Sequence, residues 1–370
     1  MKILVTGADG YIGWPLVINL LKNTKNTIIG VDNIQRRQWV KQVGAQSATK
    51  ISSFNHRKKF VKKFSKNNEF IRLDLSDFKK INKIISQFKF DRIINLAAQP
   101  SAPYSFLNIE KCNFTQNNNN QILRNIIWSI KDNKLEKKTK LIHTTTTGVY
   151  GSPNFPIPEG YLKKNNQNFP FGFMAGSWYH MSKCNDINSL HVAKKIMGID
   201  YLDFRTAITI GLNYDGFENS KDGIFNTRFD YDYYFGVVVN RFIAMAISGL
   251  PLTIYGKGKQ EKPFVSLYDC VSSLANSINF NKNIDVVNQY STISSIKKVG
   301  GYIIKNNKIK NSKLTHIKNP RIENETHKMK MHNANFLKIL KRKPQNMKKI
   351  IDETIKILVE TNAKFKQKFK

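Results

Sequence analysis

Cysteine, acidic residues and long apolar runs are scarce in this chain of 370 residues. Its three cysteines, Cys112, Cys184 and Cys270, are odd in number and far apart in the sequence, which argues against a disulfide framework and against a paired-cysteine metal site. His327 and His332 lie in a polar segment with no cysteine beside them, so we predict no metal site there either. The thiols are therefore expected to be buried or idle.

Long apolar runs are missing as well. No stretch of eighteen apolar residues occurs, which predicts that no helix spans a membrane. The first apolar segment begins at Ile3, and this leaves no room for a signal peptide. We therefore expect a cytoplasmic protein without membrane insertion. Hydrophobic residues make up 41% of the chain, which is a globular proportion and excludes a disordered protein.

Negative charge is the third scarcity. The chain has 26 acidic residues against 60 lysines and arginines, a formal net charge of +34, and such an excess raises nucleic acid as a partner. The lysines are spread along the whole sequence, and no basic helix with interleaved aromatic residues, zinc finger or RNA-binding aromatic motif stands out. We therefore predict no specific nucleic-acid partner and interpret runs such as 57–63 and 364–370 as solvated surfaces.

The most informative feature that is present is the sequence TGADGYIG at 6–13, directly behind the apolar residues 3–5. Gly7 allows a tight turn, Gly10 lets the backbone approach a pyrophosphate, and Gly13 lets a helix pack closely on a strand. The pyrophosphate then meets free N–H groups at the positive end of the helix. The cofactor-binding residues predicted from this loop are Gly7, Gly10, Tyr11, Ile12 and Gly13.

A second apolar strand, 27–31, ends at Asp32, about twenty residues after the glycines. A carboxylate at that point accepts hydrogen bonds from the ribose hydroxyls and repels a 2′-phosphate, which favours NAD. Arg36 and Arg37 follow closely and are of the type that would welcome a 2′-phosphate. The prediction is NAD, with the two arginines leaving NADP open.

Apolar strands at 70–73, 92–96 and 140–143 alternate with helical stretches. Such βαβ repetition implies an α/β fold with a Rossmann-type, doubly wound parallel sheet, whose ligands lie beyond the carboxyl ends of the strands. Polar and small residues at those ends complete the predicted cofactor site: Asp32, Asn33, Arg36, Asp74, Leu75, Ala97 and Gln99. Further strands are predicted at 199–204 and 206–210, and helices at 182–197 and 237–248.

The character of the chain changes after Gly211, where a loop-rich and aromatic segment begins. We predict a Rossmann domain over residues 1–211. Residues 212–370 are predicted to form mainly a smaller substrate-binding region, with short returns to the first domain.

Tyr179 and Lys183 are four residues apart, a spacing that puts both on one face of a helix. The lysine cation lowers the pKa of the tyrosine, so that a phenolate can take a proton from a hydroxyl while a hydride leaves for nicotinamide. This spacing is common in proteins. It gains weight here because it follows a Rossmann start and a strand that ends in the threonines 144–147.

With these motifs the chain resembles, over nearly its whole length, the extended short-chain dehydrogenase/reductases, the NAD-dependent epimerase/dehydratase family that acts on nucleotide sugars. The resemblance implies that Thr146 hydrogen-bonds the sugar 4-hydroxyl, that Tyr179 is the base, and that Lys183 also holds the nicotinamide ribose. It implies a UDP-linked sugar as substrate. It also implies a homodimer that forms through helices around 116–129 and 182–197.

Within this family, many loop stretches resemble the UDP-sulfoquinovose synthases, which oxidise UDP-glucose at C4, eliminate the C6 hydroxyl and add sulfite. Those stretches are 31–33, 36–37, 101–105, 228–232, 240–242, 255–258, Gln260, 288–289, 319–321 and Glu323. The substrate contacts that the resemblance implies are Tyr104, Thr146, Tyr179, Arg241, Gln260, Lys262 and Arg321.

The departures from that pattern fall on the chemistry. Val149 replaces a glutamate of the synthases, the segment 98–101 lacks their Glu and Arg, and Lys262 replaces an arginine, keeping the charge but not the bidentate fork. The 4,6-dehydratases of the family carry Asp-Glu where this chain has Thr147 and Gly148. A dehydratase of that type is therefore not expected.

The segment 149–151 resembles instead the 4-epimerases, which need only hydride removal, rotation of the keto sugar and hydride return. Ile208 stands where those epimerases usually have an asparagine. The sequence thus predicts an NAD-dependent enzyme that transiently oxidises C4 of a UDP-hexose, with UDP-glucose the first choice. Epimerisation is favoured over sulfoquinovose formation, and a non-catalytic NAD-binding scaffold is a remote third hypothesis.

Overall fold

The computed structural model describes residues 1–22, 25–218, 220, 222–280, 284–318 and 327–365. Along them the strands are β1 Lys2–Thr6, β2 Thr27–Asp32, β3 Glu69–Arg72, β4 Arg92–Asn95, β5 Lys140–Thr146, β6 Tyr161–Lys164, β7 Gln167–Pro170, β8 Tyr201–Thr206, β9 Ile208–Ile210, β10 Leu252–Tyr255, β11 Glu261–Ser266, β12 Val286–Gln289, β13 Thr292–Ser295 and β14 Leu314–Ile317. The α-helices are α1 Gly13–Leu21, α2 Gln35–Gln42, α3 Phe54–Phe64, α4 Phe78–Phe88, α5 Ile109–Asp132, α6 Trp178–Met197, α7 Val238–Ile247, α8 Leu267–Ser277, α9 Ile296–Ile304, α10 Ala334–Leu340 and α11 Met347–Glu360.

Seven strands form one sheet in the order β12-β8-β5-β4-β1-β2-β3, and every neighbouring pair is parallel. The apolar residues of these strands are buried on both faces, as helices on both sides of a parallel sheet require. The strand order reverses between β1 and β4, which is the place where such sheets bind ligands. The Rossmann-type, doubly wound α/β fold predicted from the sequence is confirmed.

Most element boundaries differ from the prediction by one or two residues, and three differences have a clear physical reason. β5 continues to Thr146 because its last residues stay paired with β8. The strand predicted over 206–210 is broken at Ala207, so that Thr206 ends β8 while Ile208–Ile210 form a separate strand. α6 begins at Trp178 rather than at residue 182, because the Ser177 hydroxyl accepts the N–H of His180 and caps the helix.

The C-terminal half adds smaller sheets and one strand of the large one. A three-stranded sheet has the order β13-β11-β9, β10 pairs with β14, and β6 and β7 form a hairpin. β12 returns to the edge of the large sheet beside β8. The helices α7, α9 and α11 pack around a separate apolar core that includes Phe242, Ile254, Val299 and Ile351.

None of the helices in the described residues combines the length and the apolar character that crossing a bilayer requires. In the same part of the chain, no group of three or more His, Cys, Asp or Glu side chains could hold a metal ion.

Candidate active site

The glycine-rich loop between β1 and α1 has no room for side chains. Gly7 adopts a left-handed conformation, with φ of 66°, and a Cβ there would lie 2.9 Å from the backbone of Leu96 and Ala97. A Cβ on Gly13 would lie 2.0 Å from the carbonyl oxygen of Gly7. The loop therefore forms a bare backbone cradle at the N-terminus of α1, which fits the pyrophosphate of a dinucleotide.

A cleft of about 410 Å³ opens beside this loop. Its lining includes six residues that the sequence predicted for cofactor binding, namely Gly7, Asp32, Asn33, Arg36, Leu75 and Ala97. It also includes Ala98, which lies in the segment 95–99 predicted to line the groove, and four residues that were not predicted: Trp39, Leu73, Asn118 and Ile122. The cleft has an apolar wall and a few polar groups, which is the usual make-up of a site for an adenosine.

Asp32 ends β2 at the rim of the cleft. Its Oδ2 accepts the N–H of Asp9 at 2.9 Å, and its Oδ1 accepts the N–H of Ile34 at 2.6 Å. Burial and the nearby Asp9 carboxylate raise the pKa of Asp32 to about 6. The side chain is thus held rigidly and is mostly ionised at neutral pH, as an acceptor for ribose hydroxyls must be.

The two arginines that left NADP open are already paired with carboxylates. Arg37 donates to both oxygens of Asp9 at 2.7 and 2.8 Å. Arg36 donates to Asp230 at 2.7 Å, and its guanidinium lies 3.8 Å from the ring centroid of Phe235. Each guanidinium is thus held by a carboxylate of the protein, and Asp32 remains to repel a 2′-phosphate, so the site favours NAD.

Some of the other predicted cofactor residues lie at the cleft, and others turn their side chains into the protein. Asn33 and Asp74 meet at the cleft, where the amide of Asn33 donates to the Asp74 carboxylate at 3.2 Å. Ile12 is the residue before α1. Tyr11 turns its hydroxyl away to the carbonyl of Gly211, and Gln99 is fully buried. The side chains of these last two are engaged within the protein, so that only their backbones are available to a cofactor.

Helix α6 carries the predicted base. Lys183 is almost fully buried, and its Nζ donates to the carbonyl of Thr144 and to Oδ2 of Asp186, each at 3.1 Å. Thr146 ends β5, and its Oγ1 accepts the N–H of Gly148 at 3.1 Å. β5 thus supplies both a carbonyl to the lysine and the threonine of the predicted catalytic trio.

The turn after Thr146 packs against the start of α6. A Cβ on Gly148 would lie 2.3 Å from Nε2 of His180, and the rings of His180 and Tyr179 have centroids 5.3 Å apart. A side chain at position 148 would therefore displace the His180 ring. The structure therefore brings Thr146 and Tyr179 to the same end of α6, with Lys183 one turn further along the helix.

Burial opposes the charged form of Tyr179 and raises its pKa, with Lys183 acting in the lowering direction and Asp186 in the raising direction. Burial also lowers the pKa of Lys183, but the negative charge of Asp186 and Tyr179 outweighs it, and the net pKa is raised. The lysine is therefore a permanent cation beside the tyrosine.

Among the predicted substrate residues, Lys262 on β11 lies near His180. Burial, and then the charge of Lys262, lower the pKa of His180 to about 4. The same lysine adds to the lowering of the pKa of His327 by burial. Lys262 thus places a positive charge near these two histidines, where a doubly negative diphosphate could bind.

The remaining substrate residues are more scattered. Gln260 is buried near the start of β11, and the Arg241 guanidinium on α7 lies 5.9 Å from the ring centroid of Tyr233. Tyr104 is nearly inaccessible, and its hydroxyl donates to Gln42 of α2 at 3.1 Å. Arg321 lies outside the described residues.

Val149, the most conspicuous departure from the synthases, is fully buried. A Cβ on Gly172 would lie 2.9 Å from Val149 Cγ2 and 2.8 Å from Nη1 of Arg205. The side chain at position 149 therefore faces Gly172 and the vicinity of Arg205, below the turn. A carboxylate in that place would lie near an arginine inside the protein.

Four charged or titratable residues that hold the site were not predicted from the sequence: Asp9, Arg57, His143 and Asp186. For one of them, Asp186, the sequence holds an indication. Asp186 follows Lys183 by three residues, a spacing that brings two side chains together on a helix. The others pair across 28 to 48 positions of sequence, and no local pattern reports such a pair.

A family model described as GDP-mannose 4,6 dehydratase matches residues 4–194. The chain is 31% identical to the UDP-sulfoquinovose synthase of Sulfolobus acidocaldarius over 99% of its own length and 93% of that protein. It is 30% identical to the chloroplastic UDP-sulfoquinovose synthase of Spinacia oleracea over 91% of its own length and 70% of that protein.

Solved structures show the same fold at lower identity. A UDP-glucuronic acid 4-epimerase from Bacillus cereus has a TM-score of 0.70 and 20% identity, covering 97% of this chain and 99% of that one. A UDP-glucose 4-epimerase from Thermotoga maritima has a TM-score of 0.70 and 20% identity, covering 98% and 100%. With the full-length relatives and the matched family model, the chain is an enzyme of the NAD-dependent epimerase/dehydratase family, the extended short-chain dehydrogenase/reductases.

Proposed function

We propose that this enzyme oxidises C4 of UDP-glucose transiently and converts it, with sulfite, into UDP-sulfoquinovose. The observation that carries the proposal is the similarity to two UDP-sulfoquinovose synthases at 31% and 30% identity, which extends over 99% and 91% of this chain. The catalytic trio and the cofactor cradle supply the first step, and they are common to both reactions that the sequence left open. The second step decides between those reactions.

NAD held by the backbone of the glycine loop would supply an acceptor for the hydride of C4 and a donor for its return. Tyr179 takes the proton of the 4-hydroxyl, and Thr146 holds that hydroxyl in place. Lys183 stabilises the phenolate with a charge that its neighbours keep permanent. Two of its three N–H donors go to Thr144 and Asp186, and the third is available for a ribose hydroxyl of the cofactor.

Formation of the sulfo sugar also requires removal of the C5 proton, which the neighbouring 4-keto group makes acidic, and loss of the C6 hydroxyl. His180 is suited to remove the C5 proton as a base. Its imidazole is neutral at pH 7, lies beside Tyr179 and has a buried Nδ1 without a hydrogen-bond partner among the described residues. A diphosphate near Lys262 would offset the lysine charge and raise the pKa of His180 towards the range of an effective base.

The buried position of Val149 bears on the same choice. From the sequence alone, valine in place of glutamate at position 149 argues against sulfoquinovose formation. Because side chain 149 faces Gly172 and Arg205 below the turn, replacing a glutamate there changes an internal contact and removes no group from the substrate side. Valine at position 149 is therefore compatible with the synthase reaction, which the similarity over 99% and 91% of this chain favours.

The second candidate is a UDP-glucose 4-epimerase. It is favoured by the turn after Thr146, where Thr147, Gly148 and Val149 offer no carboxylate, since epimerisation needs neither an acid nor a base at C5 and C6. It uses the same trio and cofactor. The two candidates differ in what happens to the 4-keto sugar: the synthase exchanges the C6 hydroxyl for sulfite, whereas the epimerase returns the hydride to the opposite face of C4.

The test is incubation of purified protein and NAD with UDP-glucose, with and without labelled sulfite, followed by mass spectrometry and proton NMR of the nucleotide sugars. We expect a sulfite-dependent gain in mass and incorporation of the label, both absent in Tyr179→Phe. A mass-neutral change to the galacto isomer would establish the epimerase instead. No change in either reaction would contradict both candidates.

We also propose that the enzyme is a homodimer formed through α5 and α6, and that residues 1–211 hold the cofactor while 212–370 mainly hold the sugar. The two helices pack against each other and carry exposed apolar side chains, with Trp128 54%, Val192 51% and Ile196 73% accessible. Light scattering after gel filtration should give the mass of two chains. Ile196→Glu should give the mass of one.

A further inference from the structure

A continuous set of hydrogen-bonded side chains leads from Lys183 to the cofactor loop. Its members are Lys183, Asp186, His143, Asn95 and Thr6. We propose that Asp186 is a positioning residue for the Tyr179–Lys183 pair, holding the lysine ammonium in place and moderating its effect on the tyrosine. The proposal rests on the role proposed above for that pair. It adds to the pair a carboxylate, held by His143 of the central sheet, which the tyrosine–lysine spacing alone does not imply.

The carboxylate of Asp186 is completely buried and has partners at both oxygens. Oδ2 accepts from Lys183 Nζ at 3.1 Å and lies 3.0 Å from Nε2 of His143 on β5. Oδ1 accepts from the amide of Asn120 on α5 at 3.1 Å. Three elements therefore converge on one carboxylate, which fixes its position and with it that of the lysine.

The hydrogen bonds on the far side of His143 determine its tautomer. Oδ1 of Asn95 accepts from the Thr6 hydroxyl at 2.5 Å and from the N–H of Ala97 at 3.3 Å, so the amide nitrogen of Asn95 faces His143 Nδ1, at 3.0 Å. An amide nitrogen only donates, and Nδ1 must therefore accept. Nε2 is then the ring nitrogen that donates a hydrogen bond to Asp186.

The far end of this set lies under the cofactor cradle. Thr6 is the residue before Gly7, and a Cβ on Gly7 would touch the backbone of Leu96 and Ala97. Residues 6 and 97 thus flank the glycine loop, and both bind the same amide oxygen. The position of Lys183 therefore depends, through these hydrogen bonds, on the same residues that shape the pyrophosphate site.

Charge balance gives Asp186 its second role. The ionisable groups around the Lys183–Asp186 pair are Tyr179 and Cys184 on α6, His143 on β5 and Asp203 on β8, while α5 contributes the neutral Asn120. Lys183 pulls Tyr179 towards its ionised form and Asp186 pushes it back. A fully buried lysine without this carboxylate would leave an uncompensated cation next to the tyrosine.

The decisive experiment titrates Tyr179 in the full chain without substrate, by ultraviolet tyrosinate absorbance, as the difference between each protein and its Tyr179→Phe partner. In Asp186→Asn we expect the ionisation of Tyr179 to move to lower pH, because the carboxylate that opposes the phenolate is gone. The NAD-dependent pH–rate profile should move in the same direction. An unchanged or higher ionisation pH in Asp186→Asn would overturn the proposal.

The matched control is Asp269→Asn. Asp269 is equally buried and is paired with Arg342, far along the chain from the trio, so its loss should destabilise the protein without moving the Tyr179 ionisation. A shift of the same size in this control would also overturn the proposal. Because the titration needs no sugar, it can succeed even if UDP-glucose and sulfite prove to be the wrong substrates.

A second measurement covers the case in which Asp186→Asn does not fold. In the wild-type protein with 13C-labelled aspartate side chains, we expect an aspartate carboxyl signal to shift when Tyr179 ionises, and this step should be missing in Tyr179→Phe. If no aspartate signal followed the ionisation of Tyr179, the two groups would be uncoupled and the proposal would be wrong.

Discussion

Arg57 offers a sharp test of how the cofactor loop is held, and we predict that Arg57→Met destabilises the protein strongly. The guanidinium is completely buried. Its Nη1 donates to Oδ1 of Asp9 at 2.8 Å and to the carbonyl of Asp9 at 3.0 Å, while Nη2 donates to the carbonyl of Asn226 at 3.1 Å. Its centre lies 4.5 Å from the Trp14 ring centroid.

The magnitude follows from what methionine leaves behind. It fills much of the volume but leaves two buried carbonyls and one carboxylate oxygen without this donor. Removing one member of a buried ion pair costs about 3–5 kcal/mol, and since Arg37 still pairs with Asp9 we expect the low end, about 3 kcal/mol. NAD affinity should fall too, because Asp9 lies inside the glycine loop.

Urea unfolding of the NAD-free protein at pH 7.5 measures the loss, and titration with NAD measures the affinity. The control is Lys22→Ala, which removes an ion pair with Asp215 in which both side chains are half exposed and should cost no more than about 1 kcal/mol. An Arg57→Met protein as stable as this control would refute the idea that Arg57 anchors the loop.

Three further predictions concern the site itself. Tyr179→Phe should abolish turnover while NAD still binds, and a variant with full activity would remove Tyr179 from the mechanism. Gly148→Ala would place a methyl group 2.3 Å from His180 Nε2, so we expect turnover to fall at least about tenfold while the melting temperature changes little; unchanged turnover would show that the His180 position does not matter. Because the pKa of Asp32 is raised to about 6 and the ribose needs its ionised form, NAD affinity should weaken roughly tenfold per pH unit below that value, with no such dependence in Asp32→Asn by calorimetry.

What the sequence predicted well was determined locally. Gly7 and Gly13 sit where a Cβ would meet backbone, a requirement that acts over a few residues and leaves a readable spacing. The sheet followed from alternating apolar runs, and Tyr179 and Lys183 from one helical turn. Each of these depends on neighbours in sequence.

What escaped prediction depends on contacts across the chain. Arg37 looked available for a 2′-phosphate because its partner, Asp9, lies 28 residues earlier. Gln99 lies at the predicted strand end, yet its side chain donates to the Ser101 carbonyl and to the Thr115 hydroxyl, away from the groove. The break at Ala207 arises because its N–H donates to Gln289 of β12, a strand that comes eighty residues later.

That late strand has a consequence for synthesis in the cell. Until residues 286–289 have left the ribosome, β8 is the unpaired outer edge of an otherwise complete parallel sheet, and an open edge of this kind pairs readily with other chains. While the residues between Thr206 and Val286 are being made, therefore, the nascent enzyme displays the backbone groups of Tyr201–Thr206 to its surroundings. The sheet can close only when about three quarters of the polypeptide has been made, and fragments that stop before Val286 should aggregate.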